Sequence, residues 1–184
     1  FEQTKKGTFL FGFEESCGYL RGTHARDKDA VVASMLFAEM VCFYEYNGTS
    51  VYAVLQNLYE KFGYVLDKTI SIGFKGLSAM KEMSMVVEKM RNSTLSDVEG
   101  EKIVAVRDYL SGVKTHVNGT TEELDISGVN CIYYELGRGG FICLRPSGTE
   151  PKLKIYYSVK GKDKQQAEKS LEVLTNAFDS LLKD

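Results

Sequence analysis

Proline is nearly absent from this sequence, at two in 184 residues, histidine is equally rare, and no apolar run reaches the ~18 residues of a membrane-spanning helix. A helical membrane span is therefore not expected. The two histidines, His24 and His116, are far apart. Cys17, Cys42, Cys131 and Cys143 show no C-x-x-C or Cys/His ligand spacing, so no metal site is expected within this chain. Neither sign of charge prevails: Lys+Arg 23 against Asp+Glu 25 leaves a formal net charge of −2, which gives no footprint for general nucleic-acid binding. Any anion site must be local. The chain starts at Phe1, with no charged segment ahead of an apolar one, so it shows no secretory signal and reads as a cut piece. With no disulfide framework, a reducing cytoplasm fits best, and cysteines among apolar neighbours, such as Cys42 and Cys143, read as small core residues. Asn47-Gly48-Thr49, Asn92-Ser93-Thr94 and Asn118-Gly119-Thr120 read as turns or caps and not as glycosylation acceptors.

What is present is an ordinary globular composition, 43% hydrophobic and 26% charged. At roughly 100–200 residues per domain, the length allows one domain or a domain and a half. Thr8 to Phe13 predicts a buried strand, and Glu14 to Lys28, with Gly18, Gly22 and many charges, predicts a strand-to-helix loop. From Asp29 to about Tyr46 apolar residues occupy nearly every side of a helix, which predicts one packed on several faces. Thr49 or Ser50 caps a second helix carrying Val51, Val54, Leu55, Leu58 and Phe62, and Gly63 stops it. Ile70, Ile72 and Phe74 alternate in a β-prone stretch, and Leu77, Met80, Met83, Val87 and Met90 form one stripe on a third helix.

Farther on, Ile103 to Leu110 reads as a strand and Ser111 to Val129 as a polar loop. Cys131 to Leu136 and Phe141 to Arg145 read as a hairpin joined by Gly137-Arg138-Gly139-Gly140. Leu153, Ile155, Tyr157 and Val159 alternate along a further strand, and Asp163 caps a terminal helix lined by Ala167, Leu171, Leu174, Phe178 and Leu182. Strands clustered between two helices predict an α+β unit, its mainly antiparallel sheet covered by helices on one face, preceded by the end of a different, α/β unit.

Both prolines, Pro146 and Pro151, fall in Arg145-Pro146-Ser147-Gly148-Thr149-Glu150-Pro151-Lys152, which makes that loop stiff, since each fixes its own φ and extends the residue before it. Ser147 and Thr149 offer hydroxyls, Gly148 allows close backbone approach, and Arg145 offers a planar fork for two phosphate oxygens. That is the chemistry of a phosphomonoester cradle, and it is equally the composition of a plain tight connection. In Phe13-Glu14-Glu15-Ser16, two carboxylates and a hydroxyl follow an apolar run. Glu14 and Ser16, pointing one way in an extended stretch, could grip sugar hydroxyls, or the segment is a solvated acidic turn. In Arg26-Asp27-Lys28-Asp29 the aspartate suits a helix start, whereas Arg26 and Lys28 there point to an anionic partner or to simple exposure.

Taken together, F-G-F-E-E-S-C-G-Y (11–19), R-D-K-D (26–29) and R-P-S-G-T-E-P-K-L-K (145–154) resemble the C-terminal part of the phosphoglucomutase/phosphomannomutase family, the α-D-phosphohexomutases. The resemblance implies residues 1–65 as the end of an α/β third domain and 66–184 as a fourth domain similar to the TATA-binding-protein-like fold. It implies Glu14 and Ser16 on the sugar hydroxyls. It implies Arg145, Ser147, Gly148, Thr149, Lys154, Lys28 and Arg26 on the substrate phosphate. Glucose 1-phosphate and glucose 6-phosphate are the implied substrates, with mannose phosphates the open alternative: some dual-specificity members carry a histidine shortly after the loop serine, where Gly18 stands here. The family's reaction runs through a phosphoserine and a hexose 1,6-bisphosphate with Mg²⁺. The sequence has no Thr-Ala-Ser-His-Asn-Pro-type stretch and no Asp-Gly-Asp-x-Asp-Arg-type stretch, so turnover by this chain alone is not expected. The competing reading is a non-catalytic anion-binding or protein-interaction module using the same loop. Neither nucleic acid nor membrane is an expected partner.

Overall fold

In the computed structural model the described residues are 6–14 and 17–183, the last by its backbone alone. The chain divides into two units, Phe1–Leu58 and Tyr59–Asp184. In the first, strand β1 (Phe11–Phe13) pairs antiparallel with β2 (Tyr19–Arg21), Phe11 opposite Arg21 and Phe13 opposite Tyr19. The expected buried strand is corrected here. Leu10, Phe11 and Phe13 are exposed, and the segment expected as a loop turns back into a strand. A two-stranded ribbon has too little surface to bury its own aromatics. Phe11 stacks on Phe13 at 6.0 Å and on Tyr19 at 6.1 Å.

Helix α1 (Ala30–Tyr46) starts where expected. Asp29 Oδ1 accepts the backbone N–H groups of Val31 and Val32 at 2.9 and 3.0 Å, satisfying donors that the first helical turn leaves unpaired. The expected packing on several faces is not found: no residue of α1 is buried, and Val31, Met35, Phe37 and Phe43 are exposed. An all-round apolar helix needs partners on every side, and its unit supplies a short ribbon and one more helix. That helix, α2 (Val51–Phe62), is capped by Ser50, whose hydroxyl accepts the Ala53 N–H at 3.2 Å. It stops at Gly63, which takes a left-handed φ of 90°.

The second unit runs β3 (Tyr64–Gly73), α3 (Ala79–Arg91), β4 (Asp97–Val98), β5 (Glu101–Asp108), β6 (Val113–His116), β7 (Thr121–Glu123), β8 (Ile132–Leu136), β9 (Gly140–Pro146), β10 (Lys152–Gly161) and α4 (Lys164–Lys183). The sheet order is β3-β10-β9-β8-β5-β6-β7, with β4 against β5, and each pairing is antiparallel. The unit is α+β, as expected. The polar loop expected over Ser111 to Val129 contains β6 and β7. Thr121–Glu123 is exposed throughout, so backbone pairing and the Asn118-Gly119 turn, not apolar alternation, join the edge strand β7 to β6.

Alternation does set the inner strands. Ile132, Tyr134 and Leu136 of β8, Ile142 and Leu144 of β9, and Leu153, Ile155, Tyr157 and Val159 of β10 are buried. They meet Met83, Val87 and Met90 of α3 and Leu174, Phe178 and Leu182 of α4, so both helices cover one face. Tyr134 Oη donates to the Met90 carbonyl at 3.0 Å, and burial pushes its phenol pKa up to about 12. Gly140 is required by close approach. Its φ is 107°, and a Cβ there would overlap the Ser158 carbonyl oxygen and lie 3.2 Å from Val159 Cα. Asp163 Oδ1 accepts the Gln166 N–H at 2.8 Å and caps α4.

Phe178 is fully buried, its ring edge-on to Tyr134 at 5.8 Å and to Tyr157 at 6.2 Å. Phe178→Ala is therefore expected to lower stability by about 3–5 kcal/mol. Urea unfolding followed by circular dichroism checks this, and a loss under about 1 kcal/mol would contradict the core described here.

Candidate functional site

Strand β9 ends at Pro146 and β10 begins at Lys152, and the loop between them folds on the Ser147 hydroxyl. Ser147 Oγ accepts the backbone N–H groups of Thr149 at 3.4 Å and Glu150 at 3.2 Å, while the Ser147 N–H donates to the Lys152 carbonyl at 2.8 Å. Serine thus acts first as a turn former, and its own proton remains available to donate. The Phe74 N–H donates to the Pro151 carbonyl at 2.9 Å and ties the loop to the end of β3. Arg145, Ser147, Gly148, Thr149 and Lys154 line one cleft of about 370 Å³, so five of the expected phosphate-site residues come together. At Gly148 a Cβ would meet no atom within 4 Å, and its φ is not left-handed. Nothing in the chain's own packing demands glycine there.

The register places Arg145 directly opposite Lys154. Their neighbours Leu144, Leu153 and Ile155 point into the core, so both cations stand on the face turned away from α3 and α4, and both are exposed. Like charges directly opposite on a sheet repel. Lys152 is matched locally by Glu150 Oε2 at 3.0 Å, but no ion pair among the described residues engages Arg145 or Lys154. Sequence reasoning singled out Arg145 and Lys154 but not their juxtaposition, which depends on strand register.

Within the first unit, the structure joins Glu14 to Lys28. Lys28 Nζ donates to Glu14 Oε1 at 3.1 Å and lies 3.3 Å from Asp27 Oδ1, and the bond to Glu14, then that to Asp27, holds the lysine pKa above its usual range. Gly18 is buried beneath this bridge. A Cβ there would overlap Lys28 Cδ and lie 2.7 Å from Cγ, so a side chain at this position would push the lysine stem out of its present path to Glu14. The hairpin closes through the Glu14 N–H to the Gly18 carbonyl at 2.8 Å, with Cys17 at a left-handed φ of 62°. Arg26 is exposed on the turn before α1. Ser16, expected on the sugar hydroxyls, lies outside the described residues. His24, which sequence reasoning passed over, sets its Nε2 2.9 Å from Asp29 Oδ2. That contact, followed by the helix N–H bonds, lowers the carboxyl pKa.

The reading of the cysteines as core residues is corrected. Cys17 and Cys42 are exposed, and Cys131 and Cys143 are half-buried, their Sγ atoms 3.3 Å apart on the same open face as Arg145. Their apolar sequence neighbours face the helices, and alternation turns the cysteines the other way. Among the described residues no three His, Cys, Asp or Glu side chains converge to hold a metal ion, so no residue here is assigned to Mg²⁺.

Two family models match the chain: "Phosphoglucomutase/phosphomannomutase, alpha/beta/alpha domain III" over residues 1–62, and "Phosphoglucomutase/phosphomannomutase, C-terminal domain" over residues 90–175. The phosphoglucomutase of Staphylococcus saprophyticus is 35% identical over 152 residues, covering 82% of this chain and 27% of that protein. That of Staphylococcus haemolyticus is 35% identical over 153 residues, covering 83% and 28%. The chain thus spans little more than a quarter of the length of these relatives. In fold it is similar to the open form of parafusin, an exocytosis-sensitive phosphoprotein (phosphoglucomutase) of Paramecium, with a TM-score of 0.55 at 18% identity over 92% of this chain and 28% of that one. The chain belongs to the phosphoglucomutase/phosphomannomutase family, of which it carries the part matched by domain III and the C-terminal domain.

Proposed function

We propose that this chain is the recognition end of a cytoplasmic phosphohexomutase that interconverts hexose 1-phosphate and hexose 6-phosphate. In this reading residues 66–184 hold the substrate phosphate through Arg145, Ser147, Gly148, Thr149 and Lys154. Residues 1–65 hold the sugar hydroxyls through Glu14 and Ser16, with Arg26 and Lys28 facing the anion. The observation that carries it is the pair of like charges, Arg145 opposite Lys154, at the edge of a cleft built on a serine-closed turn. Two cations set across from each other gain from a dianion between them.

The chemistry assigned to the whole enzyme is transfer of a phosphoryl group from a phosphoserine to the free sugar hydroxyl, giving a hexose 1,6-bisphosphate, and return of the other phosphoryl group to serine. Mg²⁺ supplies charge stabilisation when bound, and nothing in this chain is asked to hold it. This chain's part is positioning, which is where much of the barrier reduction in phosphoryl transfer arises. A loop whose flanking backbone is fixed by two prolines keeps the non-reacting phosphate in one place whichever end of the sugar reacts. By itself the chain binds without turnover in this reading. No helix among the described residues is long and apolar enough to cross a membrane.

Calorimetric titration of the full chain with glucose 6-phosphate and glucose 1-phosphate tests the reading. Saturable binding is expected, weakened about tenfold or more by Arg145→Ala, since a hydrogen bond to a charged group contributes about 1.5–3 kcal/mol. Ser147→Ala should also weaken binding, because it unmakes the turn. Unaltered binding in both variants would remove the site, and equal affinity for inorganic phosphate and hexose phosphates would favour an anion-binding module. Gly148→Ala separates folding from binding. With open space at its Cβ, the variant is expected to unfold at an unchanged temperature yet bind sugar phosphate more weakly. Unchanged binding would show that no ligand approaches that backbone.

A further inference from the structure

Cys131 and Cys143 do not touch by accident of flexible side chains. Cys131 immediately precedes Ile132, which pairs with Leu144, so it lies alongside Arg145, and Cys143 pairs directly with Tyr133. The Cys131 carbonyl accepts the Tyr109 N–H at 3.0 Å just beyond the strand ends, and Cys143 lies within the β9 ladder, so the backbone at both cysteines is held by hydrogen bonds. The thiols are half-buried and therefore within reach of a small oxidant, and they sit 3.3 Å apart in a thiol hydrogen bond. Two cations bear on the site. Arg145 lies alongside, and Arg91 is anchored nearby by Asp108 and by Asn130, the residue before Cys131.

We propose that Cys131 and Cys143 are an oxidisable dithiol, with Cys131 the sulfur that reacts with a peroxide and Cys143 the sulfur that resolves it into an intramolecular disulfide. The register sets Cys131 alongside Arg145, and the contact with Cys143, aided by Arg145 and Arg91, lowers the Cys131 pKa, while the same contact and burial raise that of Cys143; the placement beside the cation and the two directions together order the roles. In the first step the Cys131 thiolate attacks one peroxide oxygen and the O–O bond breaks. The departing hydroxide takes up the proton that Cys131 released, leaving water and a sulfenic acid. In the second step the Cys143 sulfur attacks the Cys131 sulfur, the S–S bond forms as the S–O bond breaks, and the hydroxide leaves as water with the Cys143 proton. Two thiols are oxidised and one hydrogen peroxide is reduced to two waters. A low-potential dithiol reductant reverses the disulfide by exchange.

The test uses the full chain carrying Cys17→Ser and Cys42→Ser, so that only this pair can react. After hydrogen peroxide, intact mass should fall by the mass of two hydrogens and be restored by dithiothreitol, and peptide mapping should join Cys131 to Cys143. With Cys143→Ser added, dimedone should label Cys131 as a trapped sulfenic acid. With Cys131→Ser added instead, labelling of Cys143 should be several-fold slower. Arg145→Gln should slow disulfide formation several-fold, a readout that a merely structural arginine would not move. Stepwise oxygen addition with no disulfide, in the wild-type chain as well, would overturn the proposal. So would dimedone labelling of Cys143 as fast as that of Cys131.

Discussion

Phe178 stands edge-on to Tyr134 and Tyr157, and Tyr134 in turn is bonded to the carbonyl of Met90. Through this knot both helices of the larger unit grip the middle of one sheet face. The grip fixes which residues of β8, β9 and β10 point inward. Because side chains alternate along a strand, it also fixes which point out. Arg145, Lys154, Cys131 and Cys143 share the outer face for that reason alone. A slip of one residue in β9 would bury Arg145 and expose Leu144, at a cost no small domain could bear. The chemistry of the open face is thus a consequence of the core, and the two cannot be varied independently.

The loop between β9 and β10 adds a second constraint at closer range. Proline at each end limits the flanking backbone, and Ser147 gathers the N–H groups of Thr149 and Glu150. Those donors would otherwise need water or a ligand. The turn accordingly holds its shape before any partner arrives, which is what a preorganised recognition loop requires.

Much of this was legible in the sequence where apolar period and turn chemistry agreed. The alternation in β10, the Asp29 and Asp163 caps and the glycine-rich hairpin appear as read, whereas of the stripe expected on α3 only Met83, Val87 and Met90 are buried: Leu77 falls before the helix, and both it and Met80 are exposed. Failures came where structure is made by backbone pairing or by missing neighbours. Strands β6 and β7 carry little apolar signal. The exposure of Phe13 and of the faces of α1 follows from what surrounds them and not from their own pattern. At the candidate site, composition named Arg145, Ser147, Gly148, Thr149 and Lys154. It could not give the opposition of two cations, the Glu14–Lys28 bridge over Gly18, or the meeting of two cysteines twelve positions apart, since each depends on register or on a contact between distant segments.

The repulsion between Arg145 and Lys154 has a bearing on the sheet itself. In the bare chain the last rungs of the β9–β10 ladder hold two like charges together against their field. An anion seated there acts as a counter-ion for the ladder, so occupancy and strand pairing strengthen one another by the same free energy. The amide hydrogens at the ends of β9 and β10 would then exchange more slowly with the proposed anion in the cleft, and the sheet would serve as an internal gauge of its occupancy.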